Sequence, residues 1–507
     1  MSQLEQAAPD KALPLGLGLI GLVLVGSLWG CLGFISEWAG IEAGLPEGLA
    51  HRLFRGIGFG TAGLACALSV WSLCKIPSWR RQAAIGLVLY LFLLWLTPRS
   101  FTYDTGLYHL PLINHLNQIG LEWNLGWLHT RYAFFNLLLY GQAALSRLAG
   151  TVALPSLNGL VLTGTLLVLA ENVKKNHRLL IASVVVSGAL LLPSESTESF
   201  HSFNADFALG CIFLVCCLLV SNNDAASRKL SLVTTGISAF LPLIKLSGLF
   251  LLPIVLAGYL KRWDGQRLWR DIKTLVPLIA LLTLTTWGFG YITTGYLSYP
   301  VAQTGPLRAE ALSKASTIKE SKFSTTAWAR FAYSDQVDAM KADASLGEWL
   351  PKWAQSLNGK RMLTYTAISL ACSCIGWATA KQSQWTVLLT ANTVFWIFAV
   401  VVLPPDPRFY WGPILLTLYG TSQWISNCGK DEHNLSRRSE RIFIAATLTI
   451  LVFTSLWRES SISRDSFPLA QLSGHQGSTG FYRPRSDRGI SHPDAGACWE
   501  LPAPCSP

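Results

Sequence analysis

The sequence has few charged residues for its length. Asp, Glu, Lys and Arg make up 14% of its 507 residues, whereas a soluble domain carries about 25%. This shortage argues against a soluble enzyme, and it argues against a disordered chain, because disorder accompanies high charge and low hydrophobicity. Hydrophobic residues make up 51% of the chain, and the mean hydropathy is +0.37. The composition is therefore typical of a polytopic membrane protein.

Signatures of metal, redox and nucleotide chemistry are missing as well. None of the 11 cysteines belongs to a CxxC pair, so zinc and redox sites have no support. Most cysteines lie in apolar stretches and are expected to be small buried hydrophobic residues, which argues against a secreted disulfide scaffold. No P-loop, GxGxxG fingerprint or GxSxG elbow occurs in a usable context. ATP-driven transport and dinucleotide chemistry are therefore unsupported.

Thirteen apolar runs are candidates for membrane-spanning helices, each of which needs about 20 residues. The polar N-terminal segment 1–14 lacks the basic region of a signal peptide, so the first run is expected to remain as a helix. The predicted spans are 15–35, 53–73, 83–96, 152–170, 179–192, 207–220, 230–241, 246–260, 275–291, 362–380, 385–403, 409–425 and 442–457.

The net charge of +11 would suggest nucleic-acid binding in a soluble protein. Here Lys and Arg cluster in short connections between apolar runs, which is the pattern of the positive-inside rule, so no nucleic-acid partner is predicted. The predicted cytoplasmic clusters lie at 75–81, 174–178, 228–229, 261–273 and 430–441.

The sidedness of these clusters depends on segment 132–148. This segment is apolar but short, and Asn136, Gln142 and Arg147 interrupt it. We favour a helix that lies on or dips into the outer face. An ordinary span is the alternative, and it would place the cluster at 174–178 outside.

The predicted fold class is an all-α integral membrane protein with about 13 transmembrane helices. The N-terminus is predicted to be cytoplasmic and the C-terminus extracytoplasmic. Four segments then face outward, and the Pro/Ser/Gly-rich tail 458–507 is predicted to be largely disordered. The outward segments are 97–150, 193–206, 293–361 and the turn 404–408.

The densest group of polar residues lies in the first outward segment, in the stretch TYDTGLYHLPLINHLNQIGLEWNLGWLHTRYAFFN. Asp104 heads an amphipathic helix there, and aromatic rings interleave with the polar side chains. Such a helix at the membrane surface is suited to meeting a lipid-linked substrate. Alternatively, Asp104 only caps the helix and the rings only anchor it. The polar residues are Asp104, His109, His115, Glu122, His129 and Arg131.

The motifs YDTGLYHLP and LHTRYAFFN resemble the first outward loop of the GT-C superfamily of membrane glycosyltransferases. More narrowly, they resemble an uncharacterised bacterial group of GT-C-like proteins in which an acidic residue is followed by Tyr-His-Leu. In the superfamily, which includes protein O-mannosyltransferases and aminoarabinose transferases, this loop carries a catalytic Asp followed by interfacial helices. Asp104 matches that position. The similarity covers roughly residues 83–412, so the two spans within 1–82 look like an addition.

Two further outward elements fit this resemblance. STESFHSFNADFALG places His201, Asn204 and Asp206 at the mouth of a span. Relatives commonly carry an Asp in this region, although helix capping by Asn204, with Asp206 near the helix dipole, explains the pattern equally. LPLIKLSG places Lys245 between two very apolar helices, where relatives hold a Lys near the lipid phosphate. Snorkelling of this costly charge is the alternative.

The third element is PPDPRFYWG, which places Arg408 in a proline-stiffened turn just outside a span. Arg suits bidentate recognition of phosphate, and similar P-x-R turns in the superfamily bind the donor phosphate. The alternative is a salt bridge between Asp406 and Arg408, or a contact with a lipid headgroup.

The resemblance implies an inverting glycosyltransferase of the bacterial inner membrane that takes a sugar from a polyprenyl-phosphate donor. Asp104 would be the base toward the acceptor hydroxyl, and Lys245 and Arg408 would stabilise the leaving phosphate. The acceptor would be an unknown glycan, lipid or protein, and membrane lipids would be further partners. Substrate-binding or supporting roles fall to Tyr108, His109, Glu122, His129, Arg131, His201, Asn204 and Asp206.

A divalent cation, Mg or Mn, held by Asp104 with Glu122 or Asp206 is a further hypothesis. Rival interpretations are a transporter or lipid flippase, and a polysaccharide polymerase or ligase of another membrane fold. The predicted regions are two added helices at 1–82, a GT-C-like core at 83–293, an outward insertion at 294–361, C-terminal helices at 362–457 and the tail at 458–507.

Overall fold

The structure is a computed structural model of the chain. All of the predicted span 53–73, most of 83–96 and 442–457, and the predicted site residues Asp104 and His201 lie outside the residues that it describes. The described residues are 15–46, 49, 84, 86–88, 90, 108–149, 157–175, 179–191, 203–221, 228–262, 265–320, 326–331, 343–378, 384–427, 447, 482–485 and 490–493.

The described secondary structure is a series of helices with one short hairpin near the C-terminus. The helices are α1 (Leu15–Glu42), α2 (Leu110–Gln118), α3 (Leu125–Leu128), α4 (Leu137–Ala149), α5 (Leu157–Lys175), α6 (Leu180–Leu191), α7 (Ala205–Ser221), α8 (Arg228–Ala239), α9 (Leu241–Ile244), α10 (Leu252–Arg262), α11 (Gly265–Thr294), α12 (Lys314–Glu320), α13 (Trp328–Phe331), α14 (Leu346–Gln355), α15 (Leu357–Ala378), α16 (Gln384–Val401) and α17 (Trp411–Asn427). Short 3-10 turns occupy Thr130–Ala133, Leu246–Leu251, Ala302–Thr304 and Pro407–Tyr410.

The hairpin consists of β1 (Tyr482–Arg485) and β2 (Ile490–Pro493), which pair antiparallel. It lies in the tail for which the sequence predicts disorder.

Three described helices are long and apolar enough to cross a membrane. They lie within α1, α11 and α16, and shorter apolar helices accompany them. Large apolar side chains face outward from these helices, including Leu284 and Val394, each 64% exposed, which suits contact with lipid. The protein is therefore a helical membrane protein. The number of about 13 spans stays a prediction, because three of those spans lie wholly or mostly outside the described residues.

Several helix boundaries differ from the sequence prediction, and two of the differences have a clear physical cause. The apolar run 246–260 begins as a 3-10 turn, because Lys245 has an extended backbone and the chain then folds back until Gly248 touches the carbonyl of Leu241. A Cβ atom on Gly248 would collide with that oxygen, so the tight return depends on glycine. Helix α11 begins ten residues before the predicted position 275, because its polar first turns continue the helix beyond the apolar run.

Helix α1 organises the first part of the bundle through small residues. Gly16 meets Gly164 of α5, and Gly30 meets Ala144 of α4, which allows the close backbone contacts that are common between membrane helices. α5 runs antiparallel to α1, whereas α4 follows the second half of α1 in the same direction. With 13 residues, α4 is about 20 Å long, which is too short for a hydrocarbon core of about 30 Å.

A buried ion pair joins the last turns of α1 and α4. The two terminal nitrogens of the Arg147 guanidinium, Nη1 and Nη2, donate to the carboxylate of Glu37 at 2.5 and 2.8 Å. The side chains are only 7% and 4% exposed, respectively, and the guanidinium lies 5.7 Å from the ring centroid of Phe34. Losing either partner would leave a buried charge without compensation, so the pair fixes the position of α4 along α1.

Contacts between helix ends bring the predicted outward segments to one end of the bundle. Asn158, at the start of α5, donates from Nδ2 to the carbonyl of Asn204, just before α7, at 2.8 Å. The backbone N–H of Asn124 donates to the carbonyl of Ile292, near the end of α11, at 2.9 Å. We call this end, where α5 and α7 begin and α11 ends, the polar end.

A different polar contact holds the opposite end of the bundle. The carboxylate of Asp271, at the start of α11, accepts hydrogen bonds from Ser231 of α8 and Tyr259 of α10. All three residues are buried. The carboxylate is thus satisfied by two hydroxyl groups, and three helices are joined around one side chain.

The contact between α1 and α4 yields a test of this packing. A Cβ on Gly30 would lie 2.6 Å from the Cβ of Ala144, whereas nothing lies within 4 Å of a Cβ on Gly26 of the same helix. We expect Gly30→Val to destabilise the protein by about 1–3 kcal/mol through overpacking, and Gly26→Val to have little effect. Thermal unfolding of both variants in one detergent would measure this. Equal melting temperatures would contradict the described packing.

Candidate functional site

A lysine and an aspartate pair at the polar end. Nζ of Lys245 lies 2.6 and 2.7 Å from the two carboxylate oxygens of Asp206. The aspartate side chain is 5% exposed and the lysine side chain 34% exposed. The pair therefore has one buried member and one that solvent or a ligand can reach.

Helix capping explains where Asp206 lies. Asn204 immediately precedes α7, and its side-chain oxygen accepts the backbone N–H of Asp206 at 3.0 Å. Asp206 lies in the first turn of α7 and also binds Lys245. Capping by Asn204 and the ion pair of Asp206 are therefore both present in the structure. A carboxylate in this position also gains from the positive end of the helix dipole.

The backbone break at Lys245 directs its side chain toward Asp206. Lys245 separates α9 from the following 3-10 turn, and its extended conformation (φ −158°, ψ 145°) ends the helix. Its Nζ also lies 4.5 Å from the ring centroid of Phe409, which is within the range of a cation–π contact. The ammonium group thus contacts both a carboxylate and an aromatic ring.

The proline-rich turn that carries Arg408 is held from two sides. Tyr410 donates from its hydroxyl to the carbonyl of Pro404 at 2.7 Å, and Trp353 of α14 donates from Nε1 to the carbonyl of Pro405 at 2.8 Å. Asp406 is buried within the turn. For Arg408 the backbone alone belongs to the described part of the chain. The predicted phosphate-binding residue Arg408 directly precedes Phe409, whose ring contacts Lys245.

Two glycines allow this turn to approach α7. A Cβ on Gly210 would lie 2.6 Å from the Cβ of Trp411, and a Cβ on Gly412 would lie 2.6 Å from the ring of Phe213. The start of α17 therefore packs directly against the first turns of α7. This close crossing positions the turn beside Asp206, which lies one helical turn before Gly210.

A second cluster gathers predicted residues of the first outward loop. The ring centroid of Tyr108 lies 4.4 Å from that of His109 and 6.0 Å from that of His129. The guanidinium of Arg131 lies 6.0 Å from the ring centroid of Tyr108. The structure thus brings together four of the residues to which the sequence assigns supporting roles.

The protonation state of His129 is fixed by its surroundings. Its Nδ1 accepts the backbone N–H of Arg131 at 3.0 Å, which leaves the ring proton of the neutral form on Nε2. Burial, and then the positive charge of Arg131, lower the pKa of His129 from 6.5 to about 4. Near neutral pH this side chain is therefore a neutral hydrogen-bond donor through Nε2.

The loop that carries His129 is fastened to the end of α11. Asn124 has a left-handed backbone (φ 59°). One nitrogen of the Arg308 guanidinium donates to the side-chain oxygen of Asn124 at 2.7 Å and to the carbonyl of Ile292 at 2.8 Å. The same guanidinium lies 4.3 Å from the ring centroid of Trp123. Arg308 belongs to the outward insertion, so this residue joins the insertion to the first outward loop.

Glu122 belongs to neither cluster. Its carboxylate lies 3.1 Å from Nε2 of the buried His115, and 43% of the Glu122 side chain is exposed. Among the residues that the structure describes, no group of three or more His, Cys, Asp or Glu side chains is arranged to hold a metal ion. A site that includes Asp104 lies beyond these residues and stays a prediction.

Three residues of these clusters escaped the sequence analysis. Phe409 and Tyr132 look like ordinary apolar neighbours of Arg408 and Arg131, and no spacing rule gives them a role. Arg308 lies in a mixed-charge insertion that offers no reason to single it out. The contacts of Phe409 and Arg308 depend on tertiary packing, whereas Tyr132 lies near His129 through a local 3-10 turn that no spacing rule predicts.

The low pKa of His129 makes stability depend on pH. The unfolded chain binds a proton on this residue below about pH 6.5, whereas the folded chain does so only near pH 4. Stability should therefore fall as the pH drops through this window, by about 2 kcal/mol between pH 7 and pH 5. His129→Asn keeps an acceptor for the backbone of Arg131 but does not titrate, so its stability should fall less. Denaturation of both proteins at the two pH values would measure the difference, and equal pH dependence would contradict the described burial.

Comparison with known proteins gives a family and a structural likeness. Among curated proteins, none matches the chain. One similar solved structure is the "Single-Particle Cryo-EM Structure of Arabinosyltransferase EmbB from Mycobacterium smegmatis", with 12% sequence identity and a TM-score of 0.36. The match covers 84% of this chain but 42% of that one, so this chain spans less than half the length of that structure. A family model matches residues 64–415, well over half of the chain, and the protein therefore belongs to the family described as Domain of unknown function (DUF8201).

Proposed function

We propose that this protein is a GT-C-type glycosyltransferase that moves a sugar from a polyprenyl-phosphate donor to an acceptor hydroxyl. The proposed place of reaction is the extracytoplasmic face of the bacterial inner membrane. The observation that carries the proposal is the pairing of Asp206 with Lys245 beside the turn of Arg408. Support for the superfamily comes from the motifs YDTGLYHLP and LHTRYAFFN.

The donor phosphate is the ligand that this arrangement suits. The side chain of Lys245 is 34% exposed, and in the proposed complex a phosphate oxygen would replace or share its contact with Asp206. Arg408, next to Phe409 in the turn, would supply a second cation with a planar fork of donors. Two cations match a leaving phosphate that gains negative charge as its bond to the sugar breaks.

The proposed reaction is a direct displacement at the anomeric carbon. The acceptor oxygen forms the new bond to that carbon while the bond from the carbon to the phosphate oxygen breaks, and its electron pair stays on the phosphate. The acceptor proton passes to a carboxylate, for which we propose Asp104. Attack from the face opposite the leaving group inverts the anomeric configuration.

Coordination of a metal ion by Asp206 would compete with its ion pair to Lys245. Asp206 contacts Lys245 through both carboxylate oxygens, and Glu122 lies beside His115. We therefore derive no step through a divalent cation, and we keep the set of Asp104 with Glu122 or Asp206 as a hypothesis. Glycans, lipids and proteins all remain candidate acceptors.

The test begins with the lipids that accompany the purified protein. Mass spectrometry of copurifying lipids should find a polyprenyl-phosphate sugar, and that lipid should then support sugar transfer in vitro. Reconstituted vesicles that contain the labelled lipid provide the control. Movement of the lipid across the vesicle membrane without any transfer would overturn the proposal in favour of the flippase interpretation.

Asp104 can be tested separately as base and as helix cap. Asn caps a helix about as well as Asp but cannot take the acceptor proton, so Asp104→Asn should lower transfer by roughly 10²–10⁴-fold with little loss of stability. If Asp104 only caps, Asp104→Asn should be nearly normal and Asp104→Ala should cost about 1 kcal/mol. Transfer rates and melting temperatures of the two variants distinguish these roles. A folded Asp104→Asn protein with a near wild-type rate would remove Asp104 from the reaction.

Lys245 can be tested without leaving the buried carboxylate of Asp206 unpaired. Asp206→Asn removes the competing carboxylate and should keep or increase affinity for undecaprenyl phosphate. The double variant Asp206→Asn with Lys245→Gln removes both charges and should bind that lipid about 10- to 100-fold more weakly than Asp206→Asn, because charge-assisted hydrogen bonds are lost. Binding in detergent micelles measures this ratio. Equal affinities for the two variants would exclude Lys245 from phosphate binding.

A further inference from the structure

We propose that His129 and Tyr132 form a subsite that binds a hydroxyl oxygen of the sugar carried by the lipid-linked donor. This inference rests on the proposed function, and it assigns a separate part of the substrate to a separate cluster. Tyr132 lies one residue beyond the Arg131 that the sequence analysis identified.

The first argument is the direction of the hydrogen bond that His129 can make. Its Nδ1 is already occupied by the backbone N–H of Arg131, so the neutral ring offers its proton through Nε2. Nε2 is buried, and no described residue accepts a hydrogen bond from it. A buried donor without an acceptor is costly, which favours a ligand oxygen at this point.

The second argument is a matching donor on the neighbouring ring. The side chain of Tyr132 is fully buried, and within the described part of the chain its hydroxyl has no hydrogen-bond partner. Its ring centroid lies 5.2 Å from that of His129. Burial raises the pKa of Tyr132, so the hydroxyl keeps its proton. Two neutral donors on adjacent rings thus have no acceptor among the residues that the structure describes.

The third argument concerns the kind of ligand. Neutral donors suit a neutral hydroxyl oxygen, whereas the cations that suit a phosphate lie in the other cluster, at Lys245 and the turn of Arg408. The ring of Tyr108 lies nearly parallel to that of His129, with an interplanar angle of 27°, and Tyr108 is only partly buried. An aromatic face beside two donors matches a sugar ring, which has apolar C–H faces and hydroxyl edges.

The fourth argument is that the subsite is held before any ligand arrives. His129 caps the 3-10 turn Thr130–Ala133 and Tyr132 lies within it; the backbone N–H of Tyr132 donates to the carbonyl of His129 at 2.9 Å. A Cβ on Gly126 of the preceding helix would lie 3.0 Å from the Cβ of Ala133, so the two segments pack tightly. Donors fixed in advance bind without losing conformational freedom, which increases affinity.

Stability of the ligand-free protein separates this role from a structural one. Tyr132→Phe removes a donor that has no partner in the described part of the chain, so its melting temperature should be unchanged or higher. Tyr296→Phe is the matched control, because the buried hydroxyl of Tyr296 donates to the carbonyl of Leu312 at 2.9 Å; its melting temperature should fall. A drop for Tyr132→Phe as large as that of the control would overturn the subsite.

Two substitutions of His129 distinguish the roles of its two ring nitrogens. Asn replaces the accepting Nδ1 but lacks a donor at the position of Nε2, whereas Gln places a donor near Nε2 but loses the acceptor. If Nε2 binds the sugar, His129→Gln should keep more sugar recognition than His129→Asn, although His129→Asn should be the more stable. The reverse order of sugar recognition would leave His129 as a cap of the turn and overturn its role.

The decisive measurement compares lipids with and without a sugar. Undecaprenyl phosphate is titrated against undecaprenyl-phosphate esters of glucose, mannose and xylose, and binding is followed by the melting temperature. At least one ester should bind the native protein more tightly than the bare phosphate, and Tyr132→Phe and His129→Asn should reduce that advantage about tenfold while binding of the bare phosphate persists. Equal binding of all four lipids to the native protein would reject the subsite alone. Absence of binding by any of them would reject the proposed function as well.

Discussion

A charged lysine inside an apolar bundle needs an anion, and the polar end of this protein is built around that requirement. Lys245 and Asp206 satisfy each other at 2.6 and 2.7 Å, and the buried carboxylate of Asp206 would be costly there without its cation. Meeting this need requires three chain segments to converge: the start of α7, the break after α9 and the turn before α17. The two glycines at the crossing of α7 and α17 make this convergence sterically possible.

The sequence predicts the membrane class and most described helix positions, because long apolar runs have few other solutions. It also identifies Asp206, Lys245 and Arg408 as residues of interest, since charges are conspicuous in apolar surroundings. It does not predict that Asp206 and Lys245 bind each other, because they are 39 residues apart and periodicity says nothing about contacts between helices. The 3-10 turn after Lys245 is missed for a similar reason: Gly248 looks like any glycine of a membrane helix until Leu241 is placed against it.

The aromatic cluster of the first outward loop was only partly predictable. His129 and Arg131 stand out as polar residues, but the state of His129 depends on one backbone hydrogen bond and on burial. Tyr132 carries no signal in the sequence. In the proposed reaction the two clusters would divide the work, with cations at the phosphate and neutral donors at the sugar. Such a division follows from the difference between an anionic and a neutral part of one substrate.

Arg308 limits how the outward insertion can move. It ties residues 123–124 to the end of α11, and two further bonds follow: the N–H of Leu312 donates to the carbonyl of Thr294, and Tyr296 donates to the carbonyl of Leu312. Residues 295–312 are thus fastened to the helix from which they emerge. Any hinge of the insertion must therefore lie beyond residue 312. Residues 295–312 would stay fixed to the end of α11 while the later residues move.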